Sequence, residues 1–147
     1  MLRCLIVLTS ALIASGCGED LSRKNRPKTV KVTGVITLQK QPVESATIVL
    51  IPASGSHGAS GTSRKDGSFE LMTFPPDSGA VPGVYKVMVQ KIQSPTEPPK
   101  TSDDGEIVPS SDVKWLIPMR YGNVETSKLT VTIPESGLRD LKLELTE

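Results

Sequence analysis

The last strand-like stretch of the sequence reads Leu138-Arg139-Asp140-Leu141-Lys142-Leu143-Glu144-Leu145. From Leu141 onward the leucines alternate with charged residues, so the leucines face one side of an extended chain while Lys142 and Glu144 face the other. A strand of this kind buries one face against a core and exposes the opposite face to water. The stretch therefore predicts a half-buried β-strand.

The same period of two recurs upstream in runs of alternating or β-branched residues. These runs cover residues 29–37, 46–52, 68–72, 84–91 and 127–133. Between them lie turns rich in Gly and Pro, and no segment after the first sixteen residues has a convincing helical period. About seven short strands joined by turns are typical of two packed sheets, so residues 29–147 are predicted to form one all-β domain, a β-sandwich.

Two stretches of the domain are predicted to be loops. Residues 53–62 are almost wholly Gly, Ser, Ala and Thr, and residues 93–112 contain four prolines and the acidic group Asp103-Asp104-Gly105-Glu106. Loops carried on a rigid scaffold are where binding sites usually form. Both segments are therefore candidate binding regions, and no individual binding residue is assigned.

The first residues predict where the protein is located. Arg3 precedes an apolar run over residues 5–13, which is followed by Ala14-Ser15-Gly16 and then Cys17. This order is typical of a secretion signal. The apolar run has nine residues, whereas a helix that spans a bilayer needs roughly twenty, so the segment is predicted to be removed rather than to remain in the membrane.

A Cys directly after small residues resembles the lipobox of bacterial lipoproteins, with Ala14 where a Leu is more usual. The resemblance implies a diacylglycerol on the Cys17 thiol, cleavage before it, and a fatty acid such as palmitate on the new amino terminus. Residues 1–16 are then the lipoprotein signal peptide and residues 17–28 a lipidated tether. The protein is expected to be exported and held to the bacterial cell membrane or outer membrane, with its domain facing the periplasm or the exterior.

The only possible disulfide partner of Cys17 is Cys4, which lies in the segment expected to be removed, so a disulfide in the mature domain is excluded. The alternative for Cys17 is a free thiol after an ordinary signal peptide. The tether also has two interpretations. Its basic residues, from Arg23 to Lys31, are either a solvated linker or a collar that contacts anionic headgroups.

Three stretches of the domain resemble the carboxypeptidase regulatory-like domains, which have a transthyretin-like fold. Later segments of the domain share this resemblance. The stretches are Val32-Thr33-Gly34-Val35-Ile36-Thr37, Pro42-Val43-Glu44-Ser45-Ala46-Thr47-Ile48-Val49-Leu50-Ile51-Pro52 and Lys65-Asp66-Gly67-Ser68-Phe69-Glu70-Leu71. The family pattern has a Gly in the first strand, a small residue at the beginning of the second strand, and Asp-Gly-x-Phe at a hairpin. The corresponding residues here are Gly34, Ala46 and Asp66-Gly67-Ser68-Phe69. The resemblance implies a seven-stranded, prealbumin-like (Ig-like) β-sandwich without a catalytic centre, as in small bacterial lipoproteins built on this domain.

Composition narrows the chemistry that the chain can perform. A formal charge of +1 and an aromatic share of 3% do not favour a nucleic-acid binder. The single imidazole, His57, lies in the predicted Gly/Ser loop, which is a poor place for a catalytic triad or a zinc site. The group 103–106 does not have the spacing of a calcium loop. The sequence therefore predicts no enzyme activity, no metal and no cofactor. A ureide hydrolase of the transthyretin-like type would require clustered His and Arg residues and a Ser-rich C-terminal signature, which this sequence does not have.

Two hypotheses for function remain. In the first, the domain is a binding or interaction module whose partner is an envelope protein or a glycan. In the second, it is a structural lipoprotein that assembles through exposed strand edges. Phe69, Tyr85 and Tyr121 are expected in the core, whereas Trp115 is either a cap on the core or an exposed ring that stacks on a sugar.

Overall fold

In a computed structural model, residues 25–55, 57–93, 100–101, 107–108 and 114–147 are described. The predicted signal peptide, Cys17 and most of the predicted loop 93–112 lie outside these residues. The strands are β1 (Val32–Leu38), β2 (Gln41–Pro42), β3 (Thr47–Pro52), β4 (Ala59–Thr62), β5 (Ser68–Glu70), β6 (Gly83–Gln90), β7 (Ile92–Gln93), β8 (Lys100–Thr101), β9 (Ile107–Val108), β10 (Lys114–Trp115), β11 (Leu129–Ile133) and β12 (Leu138–Leu145). A 3-10 helix (Met119–Gly122) and a one-turn helix α1 (Val124–Ser127) precede β11.

The first sheet is built around β1. β12 pairs with β1 in parallel, and the short strands β5 and β2 pair with β1 in antiparallel on its other side. The β1–β12 ladder contains a bulge, because Val32 pairs with Leu138 whereas Gly34 pairs with Leu141. The Thr33 hydroxyl donates to the Arg139 carbonyl at 2.8 Å, so this carbonyl of the bulge is satisfied.

The second sheet has the order β11-β6-β3-β4 and is antiparallel throughout. β7 pairs with β10 and β8 pairs with β9 as small two-stranded additions. On one side of the molecule the two main sheets are linked by backbone hydrogen bonds between Ser60 and Met72, at 2.8 and 3.0 Å.

The core lies between the two sheets. Along β6, Tyr85, Val87 and Val89 are buried while the residues between them are more exposed, as the period of two requires. The first sheet contributes alternate residues of β1 and β12, together with Phe69. The prediction of an all-β fold with two packed sheets is therefore confirmed in the part of the chain that the structure describes.

The aromatic residues expected in the core are buried. Phe69 is 1%, Tyr85 2% and Tyr121 5% exposed. The Tyr85 hydroxyl reaches the edge of the core, where it donates to the Val81 carbonyl at 2.6 Å. This arrangement buries the apolar ring and satisfies its polar tip.

The prediction of a loop over residues 53–62 is wrong for its last four residues, which form strand β4. Ala59 and Gly61 are buried and the residues next to them are exposed. A side chain at Gly61 would collide with the Glu70 carbonyl, so the close approach of the two sheets requires a residue without Cβ at this position. A composition of small residues, which usually indicates a loop, here reflects this lack of space.

The turn at Asp66-Gly67 is confirmed, with Gly67 at a φ of 77°. It does not close a simple hairpin, however. β4 before the turn belongs to the second sheet, whereas β5 after it pairs with β1 in the first sheet. The turn therefore carries the chain from one layer of the sandwich to the other.

The segment before β11 was expected to be a turn running into a strand, and it contains the 3-10 helix and α1 instead. The Asn123 side chain caps α1 by accepting from the Glu125 amide at 2.9 Å. The buried Ser127 hydroxyl donates to the Val87 carbonyl at 2.6 Å, which fastens the end of this helix to β6. The helix stops at Lys128, whose φ is 54°.

Candidate functional site

A groove runs over the outer face of the first sheet and encloses about 540 Å³. Val32, Gly34 and Ile36 of β1 are buried, so the alternate residues of the strand face outward. The outward side chains of β1 are Thr33, Val35 and Thr37, and all three line the groove.

Val35 lies at the centre of the groove, flanked by Ser68 of β5 on one side and by Lys142 of β12 on the other. It is 43% exposed, a high value for a valine in the central strand of a sheet. The next outward residue, Thr37, pairs with Glu144. The floor of the groove is therefore a small apolar strip bordered by hydroxyl and charged groups.

The charged residues at the rim are Arg64, Arg139, Lys142, Asp140 and Glu144. Among the residues that the structure describes, none of these five forms an ion pair. Their side chains are exposed, so they can reorient toward a ligand without first breaking a salt bridge.

The volume of the groove, about 540 Å³, lies in the range of about 300–1,000 Å³ that is usual for ligand sites.

The two candidate binding loops leave the sandwich at opposite ends. Pro52, just before residues 53–58, pairs with Tyr85 near the start of β6, and the Tyr85 hydroxyl also donates to the His57 carbonyl at 3.3 Å. At the other end of the same ladder Thr47 pairs with Gln90, after which the chain continues to β7. The described ends of the two segments therefore lie at opposite ends of the β3–β6 ladder.

His57 packs against an aromatic ring. Its imidazole contacts the Phe74 ring edge to face, with ring centroids 5.4 Å apart. Within the described ranges, no group of three or more His, Cys, Asp or Glu side chains could hold a metal ion.

Trp115 is partly exposed and lies opposite Ile92 in the β10–β7 pair. Its ring covers Gly122, where an added Cβ would lie 2.6 Å from Trp115 Cζ3. The ring therefore closes over the 3-10 helix, which agrees with the cap alternative rather than with a platform that presents its face to a sugar.

Among the residues that the structure describes, Asp66, Tyr85 and Tyr121 have shifted pKa values. Hydrogen bonds from the Ser68 side chain and then from its amide lower the pKa of Asp66, whereas burial raises the pKa of Tyr85. Burial would also raise the pKa of Tyr121, but hydrogen bonds with Thr146 and Arg120 outweigh it and lower that pKa. None of the three lines the groove.

The predicted site residue Cys17 lies outside the described residues. Within them, no helix is both long and apolar enough to span a bilayer. Comparison with protein-family models, with curated proteins and with solved structures gives no match to this chain. The function is therefore inferred from the sequence patterns and from the geometry of the groove.

Proposed function

We propose that the chain is a non-catalytic, exported lipoprotein, anchored to the membrane through Cys17, whose β-sandwich acts as a binding module. The observation that carries the binding function is the groove over β12, β1 and β5, with its exposed Val35 floor and a charged rim that forms no ion pair with any described residue. The solvent-facing side of a sheet in a soluble domain is usually polar. A concave face with an exposed apolar residue at its centre therefore favours a ligand site.

The anchor follows from the lipobox-like order Ala14-Ser15-Gly16-Cys17. A single acyl chain binds a protein to a membrane only marginally, whereas a diacylglycerol together with an amide-linked acyl chain holds it stably. Export would place the domain in the periplasm or outside the cell, on the cell membrane or the outer membrane.

For the fold we propose the prealbumin-like, carboxypeptidase regulatory-like sandwich. This is supported by the places of the motif residues. Gly34 lies in β1 against Phe69, Ala46 is buried just before β3, and Asp66-Gly67 forms the turn into β5. Such a domain contributes a scaffold without catalytic groups.

The kind of partner that fits the groove is an envelope protein or a glycan. Hydroxyl groups of Thr37 and charged groups of both signs at the rim can exchange hydrogen bonds with either. A strongly anionic polymer such as nucleic acid fits poorly, because Asp140 and Glu144 stand among the basic residues.

The alternative function is a structural lipoprotein that assembles through strand edges, and one observation favours it. β11 pairs with β6 on one side, and between Leu129 and Ile133 it contains no charged residue. The other edges are less suited to assembly, because β12 has four charged residues and a bulge, and the β4 edge bonds to Met72.

A photo-crosslinking amino acid can separate the two functions in native membranes. It is placed at Val35 in the groove and, as a matched control, at Val84 on the outer face of the second sheet, since the two are 43% and 47% exposed. A third position, Thr130 on β11, reports on edge assembly.

One defined adduct from position 35 and none from position 84 supports binding through the groove. Ladders of self-adducts from position 130 support assembly, and equal patterns from positions 35 and 84 contradict a groove site.

A further inference from the structure

The chain just before β1 is held to the domain by an aromatic contact. The Arg26 guanidinium carbon lies 5.0 Å from the centroid of the Phe74 ring, and Arg26 Nη1 lies 3.3 Å from Asp77 Oδ2. The Arg26 side chain is only 25% exposed. His57 packs on the same Phe74 ring. We call the contact of Arg26 with Phe74 and Asp77 the Arg26 clasp.

Backbone contacts continue the attachment toward β1. Val30 and Ala80 exchange two hydrogen bonds, at 2.8 and 2.9 Å. Gly79 lies so close that an added Cβ would be 2.9 Å from the Val30 carbonyl oxygen. The stretch from Arg26 to Val30 is therefore packed along residues 74–80 as part of the domain.

The Arg26 clasp lies at one end of the sandwich. The same end contains the turn between β11 and β12, where the Leu138 amide donates to the Lys31 carbonyl at 3.0 Å. It also contains residues 53–55, which follow β3. The opposite end contains the turn at Gln39 and Lys40, because β1 and β12 run in parallel away from the clasp.

We propose that the Arg26 clasp sets the orientation of the domain on the membrane, so that the surface made by residues 53–55, His57 and residues 74–78 faces the lipid headgroups. This inference rests on the proposed anchor at Cys17. Arg26 is nine positions after Cys17, so the clasp end stays within roughly 30 Å of the bilayer even if the chain between them is fully extended. The opposite end, from which residues 93–114 leave the sandwich, then points away from the membrane.

Charge is consistent with a headgroup-facing surface. Arg26 is paired with Asp77, but Arg23, Lys24 and Lys28 lie in the same short stretch of sequence. Basic residues next to a lipid anchor are attracted to anionic headgroups, each by about 1 kcal/mol near the surface. The attraction acts on the side of the domain to which the clasp holds the tether, so both effects favour the same orientation.

The test compares two labelled positions on the lipidated protein. Once residues 1–16 are removed and Cys17 is acylated, a new cysteine is the only free thiol. It is introduced at Ser54, on the clasp end, or at Glu44, on the opposite end, and both positions are exposed. A fluorophore on this thiol is measured in vesicles of phosphatidylethanolamine and phosphatidylglycerol that contain a headgroup-quencher lipid. We expect quenching several-fold stronger at position 54 than at position 44.

The double variant Arg26→Ala with Phe74→Ala should strongly reduce the difference between the two positions, whereas Lys65→Ala, which removes an exposed charge remote from the tether, should leave the difference intact. Thermal unfolding of each variant confirms that the sandwich is still folded. Equal quenching in the parent protein, or stronger quenching at position 44, would overturn the orientation. Flotation with the vesicles is scored separately, so a protein that does not float refutes the lipid anchor, and one that floats without a preferred orientation refutes the clasp alone.

Discussion

The Phe69 ring occupies the space into which a side chain at Gly34 would project. A Cβ at Gly34 would lie 2.7 Å from Phe69 Cζ, and it would also collide with the Leu141 carbonyl oxygen. Phe69 is in β5 and Leu141 in β12, so Gly34 lets the strands on both sides of β1 approach the same point. The glycine in the first strand is thus required by packing rather than by its backbone angles.

Gly34→Ala is expected to destabilise the domain by about 1–3 kcal/mol, the usual cost of overpacking a tight interior. Shortening Phe69 to Leu in the same chain should not restore stability, because the backbone carbonyl of Leu141 remains in the way. Urea unfolding measures both variants, with Ser54→Ala as an exposed control. An unchanged midpoint for Gly34→Ala would show that the strands can separate there without cost.

Ser63→Ala should lower stability by about 1–3 kcal/mol, because it leaves a buried polar group without its partner. Ser63 is 4% exposed, and its hydroxyl donates to the Val43 carbonyl at 2.6 Å and accepts from the Ala46 amide at 2.9 Å. The exposed Ser60 gives a matched control, and Ser60→Ala should change the free energy of unfolding by less than about 0.5 kcal/mol. Equal effects of the two substitutions would contradict the role of the buried hydroxyl.

Asp66 should make the stability depend on acid pH. Ser68 donates to Asp66 Oδ1 from its hydroxyl at 2.6 Å and from its amide at 3.0 Å, which lowers the pKa of Asp66 below its ordinary 3.8. The contribution is therefore present above pH 3.8 and is lost as the pH falls through the lower pKa of the folded state. Asp66→Asn should be less stable than the parent near neutral pH, and the difference should vanish in strong acid.

The measurement for Asp66 is urea unfolding at a series of pH values, with the exposed Glu44→Gln variant as control for the loss of one carboxylate. A difference between parent and Asp66→Asn that stays constant from neutral to strongly acidic pH would refute the hydrogen-bond explanation.

Tyr85 should make the stability depend on alkaline pH. Burial raises the pKa of Tyr85 above its ordinary 10.0, so its contribution is complete below pH 10.0 and is lost as the pH rises through the raised value. Tyr85→Phe is expected to cost about 0.5–1.5 kcal/mol near neutral pH, because the hydrogen bond to Val81 is lost. Above pH 10.0 the two proteins should converge in stability. Divergence in that range would contradict the prediction.

The local patterns predicted the strands well. The alternation of Leu141, Leu143 and Leu145 indicated β12, and Leu143 and Leu145 are buried as that pattern requires. β4 was missed because Ala59 and Gly61 fill a narrow space between sheets, and small residues in a strand resemble a loop in composition.

The groove could not be read from the sequence. Ser68, Val35 and Lys142 are neighbours across three strands, and the parallel pairing of β1 with β12 joins residues more than a hundred positions apart. No local period encodes such a pairing. The Arg26 clasp was missed for a similar reason, since a basic residue in a charged stretch gives no sign that it packs on Phe74.

The central claim is that Cys17 anchors the protein to a membrane, and the intact mass of the protein extracted from native membranes tests it most directly. We expect the mass of residues 17–147 increased by a diacylglycerol and one further acyl chain, and an unprocessed, unacylated chain for Cys17→Ser. An unmodified full-length mass for the parent protein, or a chain cut after the signal without added lipid, would contradict the account.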